Sequence, residues 1–401
     1  MSLTNYKPQF DNAYQEVFQK VLVAKAIANL RFEPTLTFGE YVERVAYDIS
    51  GVKVRTVVRN SASTIDAVTD TSETLLINLE KEAVFEISDG EVKQAGPLNP
   101  GAEIGGKIAQ KVAEDFDARI FAEVANAYQT FDNGDLTTLA SDLTPITLSS
   151  TTVPQMVTRM PAKLRYGAKQ TLTNLAMVID SYAAADIAQY LLGKQFDVVN
   201  AIFKNGYAEG QVAGAEVYIS ENLTGSAVLT ATDVFTDGQT ITINGVVFTT
   251  KTALSSGPAV AGEVVIGANY AATLTNLAAA INAPSTTTAT FTALSAADAA
   301  MISETLRLAA TAGATTLTIV GTGSGRLIVA ETQTNAAWSK NHIKSFFGKK
   351  GAIDAVLQDM KEVDMRPCSD RRATNVFSSY LGGIKTFADG AKKMLQVKIA
   401  C

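Results

Sequence analysis

The sequence predicts an α+β fold in which one long helix acts as a spine and a β-rich domain is inserted late in the chain. Three observations carry this. After Asn99–Pro100–Gly101, the apolar residues Ile104, Ile108, Val112, Phe116, Ile120 and Val124 recur every fourth position, with Tyr128 continuing the row. Short apolar or alternating runs of strand length lie on both sides of that helix, mixed with shorter helical patterns. The composition then shifts just after Asn222–Leu223: positions 224–337 are Thr-rich and hold 9 charged residues in 114, against 65 in the other 287.

A chain of 401 residues can support two or three domains with apolar cores. With 47% hydrophobic and 18% charged residues, 17 Phe and 12 Tyr, it reads as globular. The net charge of -6 provides no general attraction for nucleic acid, although a local basic face could still meet phosphates. Two cysteines, Cys368 and Cys401, make neither a disulfide framework nor a four-thiolate metal site, which points to synthesis inside a cell. The start lacks a secretory pattern, and no later run is apolar and uncharged for long enough to span a bilayer.

Positions 1–50 read as an N-terminal arm. Phe10, Tyr14, Phe18 and Leu22 share a helical face, and the pattern breaks near Glu33–Pro34. Positions 51–95 read as an outward-reaching, two-stranded ribbon: VKVRTVV at Val52–Val58 pairs with TLLINLEKEAVFEI at Thr74–Ile87 around a polar tip. Such an arm has little core of its own and needs another chain to cover it. Positions 96–222 hold a spine of about seven turns, in which a strict four-residue repeat makes the apolar stripe wind. Lys107, Lys111, Glu114, Asp115, Asp117 and Glu123 fall on its other surface. Beyond the spine come Pro154 and Pro161 as punctuation, LAMVID as a strand, AAADIAQYLL as a helix and VAGAEVYIS as a strand.

Positions 223–341 are the inserted β-rich domain. In TITINGVVFTT, Thr240–Ile243 and Val246–Thr249 form a hairpin across Asn244 and Gly245, a pair that accepts the positive φ of a tight turn. A short helix follows, with Leu274, Leu277 and Ile281 on one face, and then the strand candidates TLRLAAT, TTLTIV and RLIVAE. At 342–401 the charged composition returns: SFFGKKGAIDAVLQDMKEV suits helix or turn after Gly351, and KKMLQVKIA a final strand.

Chemistry-bearing patterns are sparse, and no catalytic, cofactor-binding or metal-binding residue is assigned. GTGSGR at Gly321–Arg326 superficially resembles a phosphate loop. The strand-like RLIVAE follows where a dinucleotide-binding unit needs a helix, so the segment reads as a β turn. His342 is the only histidine, which excludes a multi-histidine site within one chain. Asp180, at a strand edge, reads as a turn residue. For Lys53, Arg55 and Arg59 three readings stay open: intersubunit charge pairs, solubility, and contact with enclosed nucleic acid. Asp66 and Glu73 are grouped with Lys53, Arg55 and Arg59 as proposed intersubunit loop residues.

The order of arm, VKVRTVV…TLLINLEKEAVFEI ribbon, LNPGAEIGGKIAQKVAEDFDARIFAEVANAY helix, mixed region and returning SFFGKKGAIDAVLQDMKEV…KKMLQVKIA segment resembles the major capsid proteins of tailed bacteriophages, with the Hong Kong 97-type coat fold. The likeness covers roughly Tyr6–Ser220 and His342–Ala400 and rests on the ordered combination, not on one motif. It implies a peripheral domain holding the spine, an axial domain, and an extended loop reaching a neighbouring subunit. It further implies homo-pentamers and homo-hexamers closing an icosahedral shell around double-stranded DNA, with weak non-specific DNA contact, a portal and a virion location after assembly in the bacterial cytoplasm. No long charged scaffolding region precedes the arm, so a separate scaffolding protein is expected; a decoration protein is a further partner. DGQTITINGVVFTTKTAL and VVIGANYAATLTNLAAAINA resemble small β-rich domains of phage structural proteins, which would decorate or stabilise the shell. Two other functions stay open: a tail or baseplate structural protein, and a carbohydrate-binding or carbohydrate-active protein.

Overall fold

The structure is a computed structural model that describes residues 23–30, 41–48, 52–57, 59, 62, 65–88, 100–138, 140–192, 211–212, 214–257 and 259–401. The first turns of the expected arm, Phe10 to Leu22, and the break at Glu33–Pro34 lie outside the described residues.

A four-residue helix, α1 (Ala24–Ile27), is followed by β1 (Tyr41–Asp48), β2 (Thr69–Leu76) and β3 (Leu79–Ser88). β1 and β2 form an antiparallel ribbon in the register Tyr41↔Leu76 to Asp48↔Thr69. This corrects the expected pairing of Val52–Val58 with Thr74–Ile87: residues 52–57 form no strand and lie beyond the end of β1. YVERVAYD alternates less regularly than VKVRTVV does, so alternation points to the segment that does not pair. Nor does Thr74–Ile87 act as one arm. It divides at Ile77–Asn78, where β2 stays with the ribbon and β3 crosses to another sheet.

The spine, α2, covers Pro100–Ala122. Pro100 starts it, a position where the missing N–H costs nothing. At 1.5 Å per residue its 23 residues span about 34 Å. It is shorter than predicted: Glu123–Asn126 tightens into a 3-10 turn, and Tyr128 is exposed and off the buried row. Strand β4 (Gln129–Phe131) follows. Helix α3 (Thr152–Ala168) runs straight through Pro161, which was expected to punctuate the chain. Val153, Met156, Met160 and Leu164 bury one face of it, enough to carry the helix past the lost hydrogen bond. Next come β5 (Leu175–Ile179), α4 (Ser181–Leu192), β6 (Gln211–Val212) and β7 (Ala215–Ile219). Every residue of β5 is buried, as suits a strand covered on both faces.

In the Thr-rich interval, β8 (Thr224–Ala231), β9 (Thr240–Ile243), β10 (Val246–Lys251) and β11 (Glu263–Val265) precede α5 (Tyr270–Asn282). A short helix, α6 (Ala296–Ala300), leads into β12 (Leu308–Ala312), β13 (Thr316–Gly321) and β14 (Val329–Glu331). Asn269 caps α5 by accepting the Ala272 N–H. The chain returns through β15 (Ala336–Lys349), β16 (Asp354–Pro367), β17 (Ala373–Lys385), α7 (Ala388–Ala391) and β18 (Met394–Ala400). The stretch after Gly351, expected as helix or turn, is therefore strand over most of its length. β16 pairs along β17, which in turn pairs with β3.

β15 joins the two halves of the molecule. Its first part pairs with β8 and its second with β5 on the same edge, while β18 pairs along the other edge. One nine-stranded sheet thus runs from β12, β13 and β8 through β15 to β5, β7 and β6. The buried apolar side chains nevertheless sort into two large clusters. One draws on the spine, α3, α4, β5, β15 and β18; the other lies between Ala227 and Ala336.

Candidate assembly surfaces

The ribbon is anchored at its base and bare towards its tip. Leu75 and Ile77 are buried against Val356 and Phe387. Arg44 pairs with Asp389 at 2.6 Å and lies over the Phe387 ring, and the Lys385 Nζ donates to the Thr74 carbonyl at 2.6 Å. β17 approaches so closely that a Cβ on Gly383 would sit 2.2 Å from the Leu76 carbonyl oxygen, so only glycine fits there. Glu73 points back to the body and accepts the Ala388 N–H, at 3.1 Å for its nearer oxygen.

Beyond the base, the apolar residues face outward. Val54, Ile65 and Val57 are 103%, 92% and 84% exposed, and Val45, Val52 and Val68 are also exposed, as are Tyr41 and Leu76 at the root itself. Burying a valine or isoleucine fully is worth roughly 1.5–3 kcal/mol, so a group of this kind is a surface that gains by being covered. The tip is ordered by one carboxylate. Asp66 accepts both terminal nitrogens of Arg55 at 2.7 Å and the Lys53 N–H at 2.8 Å. The Arg55 fork first, and then the Lys53 amide, hold the Asp66 carboxyl below its ordinary range. Arg55 and Asp66 thus pair with each other inside one chain. Arg59 sits on an exposed turn.

The spine shows the opposite arrangement. Val112, Phe116, Ile120 and Val124 are buried, Ile108 is half-buried, and the Ile104 side chain lies outside the described residues. Ala109, Ala113 and Phe121 widen the buried stripe. Phe116 meets Tyr380 edge to face, with ring centroids 5.7 Å apart. Asp115 is a hub: it takes Arg119 at 2.8 Å, Arg307 at 2.5 Å and the Tyr380 hydroxyl. Burial alone would raise its carboxyl, but Arg119, Tyr380 and Arg307 together hold it low.

Asp117 corrects the reading of a solvated charge. It is fully buried and accepts the Val23 and Ala24 N–H groups at 3.0 and 3.1 Å, which ties the start of the described chain to the spine. Burial pushes its carboxyl up to about 7 against those two hydrogen bonds, and Glu114 adds to the rise. Sequence reasoning missed this residue. The available signal was its place, i+4 from the buried Ala113 and next to Phe116 on a helix whose polar face lay elsewhere.

In the Thr-rich region, Asn244 and Gly245 have φ of 48° and 87°, and β9 and β10 pair across them from Ile243↔Val246. Asn244 also exchanges two hydrogen bonds with Ile328, at 2.7 and 3.0 Å, which fastens the turn to the segment before β14. Asp180 caps α4 through the Ala183 N–H at 3.1 Å and pairs with Arg326 of the GTGSGR segment. His342 is buried and its imidazole is pushed down to about 4, first by burial and then by Lys398, Lys344 and Lys340. Among the described residues no group of three or more His, Cys, Asp or Glu side chains could hold a metal ion, and no helix is long and apolar enough to cross a membrane.

No family model matches the chain, and no curated protein matches it. Solved structures do. One from Mycobacterium phage Che8 is 12% identical, with 92% of this chain and 88% of that chain covered and a TM-score of 0.43. A capsid structure of the cyanophage P-SCSP1u is 11% identical over 94% of this chain and 88% of that one, with a TM-score of 0.47. The mature capsid of bacteriophage PhiM1 is 11% identical over 90% and 82%, with a TM-score of 0.44. The chain is thus similar, over some nine-tenths of its length and at low identity, to bacteriophage structures that include capsids.

Proposed function

We propose that this chain is the major capsid protein of a tailed bacteriophage, a shell-forming subunit with a structural and not a catalytic role. The observation that carries the reading is the ribbon: a base bolted to the body by Leu75, Phe387 and the Arg44–Asp389 pair, and a tip whose Val54, Val57 and Ile65 are left in water. A rigid root with an uncovered apolar end is what a subunit needs to grip a neighbour. Many such modest contacts, repeated by symmetry, make a closed shell hard to leave.

In this reading the chain forms homo-pentamers and homo-hexamers of an icosahedral shell around double-stranded DNA, which it touches weakly and without sequence preference. A separate scaffolding protein and a portal take part in assembly in the host cytoplasm, and a decoration protein can join the virion. The 223–341 region decorates or stabilises the shell. Coexpression with the neighbouring assembly genes, followed by electron microscopy and particle-mass analysis, tests this. Closed shells with fivefold and sixfold capsomers are expected. Tubes or a single ring of fixed number would replace the reading with a tail or baseplate role, and a chain that stays monomeric under those conditions would overturn it.

A further inference from the structure

The 224–337 stretch contains two arginines, Arg307 and Arg326, and each pairs with a carboxylate outside the unit in which it sits. Both reach out to carboxylates of the other apolar cluster's elements. Arg307 donates through Nε to the Thr322 carbonyl at 2.8 Å and through Nη1 to Asp115 on the spine at 2.5 Å. Its backbone is held at φ 48°, a left-handed conformation rare for a long side chain, and that places the guanidinium against α2. Arg326 pairs through Nε with the fully buried Asp180 and lies 5.1 Å from the centre of the Tyr182 ring on α4.

Arg326 ends the GTGSGR segment, whose Thr322 carbonyl also holds Arg307. A Cβ on Gly323 would sit 2.7 Å from the Ala118 Cβ, so the loop lies directly on the spine. The Gly325 N–H donates to the Leu223 carbonyl at 2.9 Å. Close to Arg326, where the Asn341 side-chain amide donates to the Leu327 carbonyl at 2.8 Å, β15 changes register between Ser339 and His342, and Lys340 has φ 50°. A bulge of this kind interrupts the ladder and is a place where a sheet can bend.

We propose that Arg307 and Arg326 are two latches that clamp the Thr-rich unit onto the spine and α4, across a hinge at the Ser339–His342 bulge, so that breaking both pairs lets the unit swing as a folded body. The glycine-rich loop is the strap: it carries Arg326, and its Thr322 carbonyl holds Arg307. Because each cluster of apolar side chains closes on itself, the unit does not need the latches for its fold; its position rests on them together with the β8–β15 ladder. The proposal concerns one chain and holds whether or not that chain builds a shell.

Hydrogen exchange on the full chain, read by mass spectrometry, tests it with R307Q, R326Q and the double variant. In the double variant, exchange at 222–226, 321–326 and 339–342 should rise on the order of tenfold or more, as expected for local opening, while amides of α5 and β5 keep their protection. Each single variant should give a smaller rise. Unchanged exchange at those three segments would overturn the proposal, as would loss of protection in α5 and β5 together with the seam. The R307K, R326K double variant keeps both charges but loses the forked geometry and guards against simple misfolding. It should open the same segments partially, and wild-type exchange in it, beside collapse of the glutamine variant, would equally contradict the latches.

Discussion

The spine and the ribbon are both elongated, both lie in the first third of the chain, and they treat their apolar residues in opposite ways. Phe116, Ile120 and Phe121 are almost wholly inside, whereas Val54, Val57 and Ile65 are almost wholly outside. The difference separates two kinds of dependence. The spine is completed by its own chain, through Tyr380, Arg307 and the Val23–Ala24 amides. The ribbon is completed by its own chain at the root alone. Substitutions in the spine should therefore cost fold stability, and substitutions at the ribbon tip should cost association.

The largest expected effect is in the spine. Phe116→Ala removes a buried ring and its contact with Tyr380, and should cost about 3–5 kcal/mol in denaturant unfolding. A cost near zero would mean the helix is not the core element described.

Acid should sharpen the contrast between the spine and the seam. Asp117 has a folded value raised to about 7 from the ordinary 3.8, so the folded state binds the extra proton between those limits. Its contribution is fully present below 3.8 and is lost as pH rises through 7, a difference of up to about 4 kcal/mol at 1.36 kcal/mol per pKa step. His342 works the other way: its folded value is lowered to about 4 from 6.5, so its contribution is present above 6.5 and is lost as pH falls towards 4. Unfolding curves of Asp117→Asn should fall in stability more steeply on acidification than wild type, because the histidine effect is left unopposed. Those of His342→Gln should fall less. Parallel pH profiles for all three proteins would contradict both assignments.

The smallest effect on stability is expected at the ribbon tip. Arg55→Ala removes a forked but exposed pair and should leave the melting temperature unchanged within error, while changing the salt dependence of assembly. A clear drop in melting temperature would mean that the tip belongs to the fold.

Much of the architecture can be read from local pattern. The four-residue apolar repeat marks α2, the Asn244–Gly245 pair marks the β9–β10 hairpin, and the loss of charge after Leu223 coincides with a change of apolar cluster. What escapes is set by partners far along the chain. Asp117 is buried by amides more than 90 residues earlier, and no spacing rule reaches that far. The ribbon's partner strand escapes because Val52–Val58 alternates more regularly than Tyr41–Asp48, whereas the choice falls with Val42 packing on the Leu75, Ile77, Val356 and Phe387 cluster and Arg44 pairing with Asp389. β16 carries acidic and basic residues at spacings that fit a helix; its long pairing with β17 overrides them. The GTGSGR segment looked like a mere turn because neither Asp180 nor Ala118 is near it in sequence.

The central claim is that the ribbon tip is a surface made to be covered by another copy of the chain. The most direct test is the triple variant V54D, V57D, I65D, purified beside wild type, with melting measured first and then assembly followed by sedimentation and electron microscopy. The account predicts an unchanged melting temperature and no closed shells under conditions where wild type forms them. Shells of normal size and yield from the triple variant would contradict it.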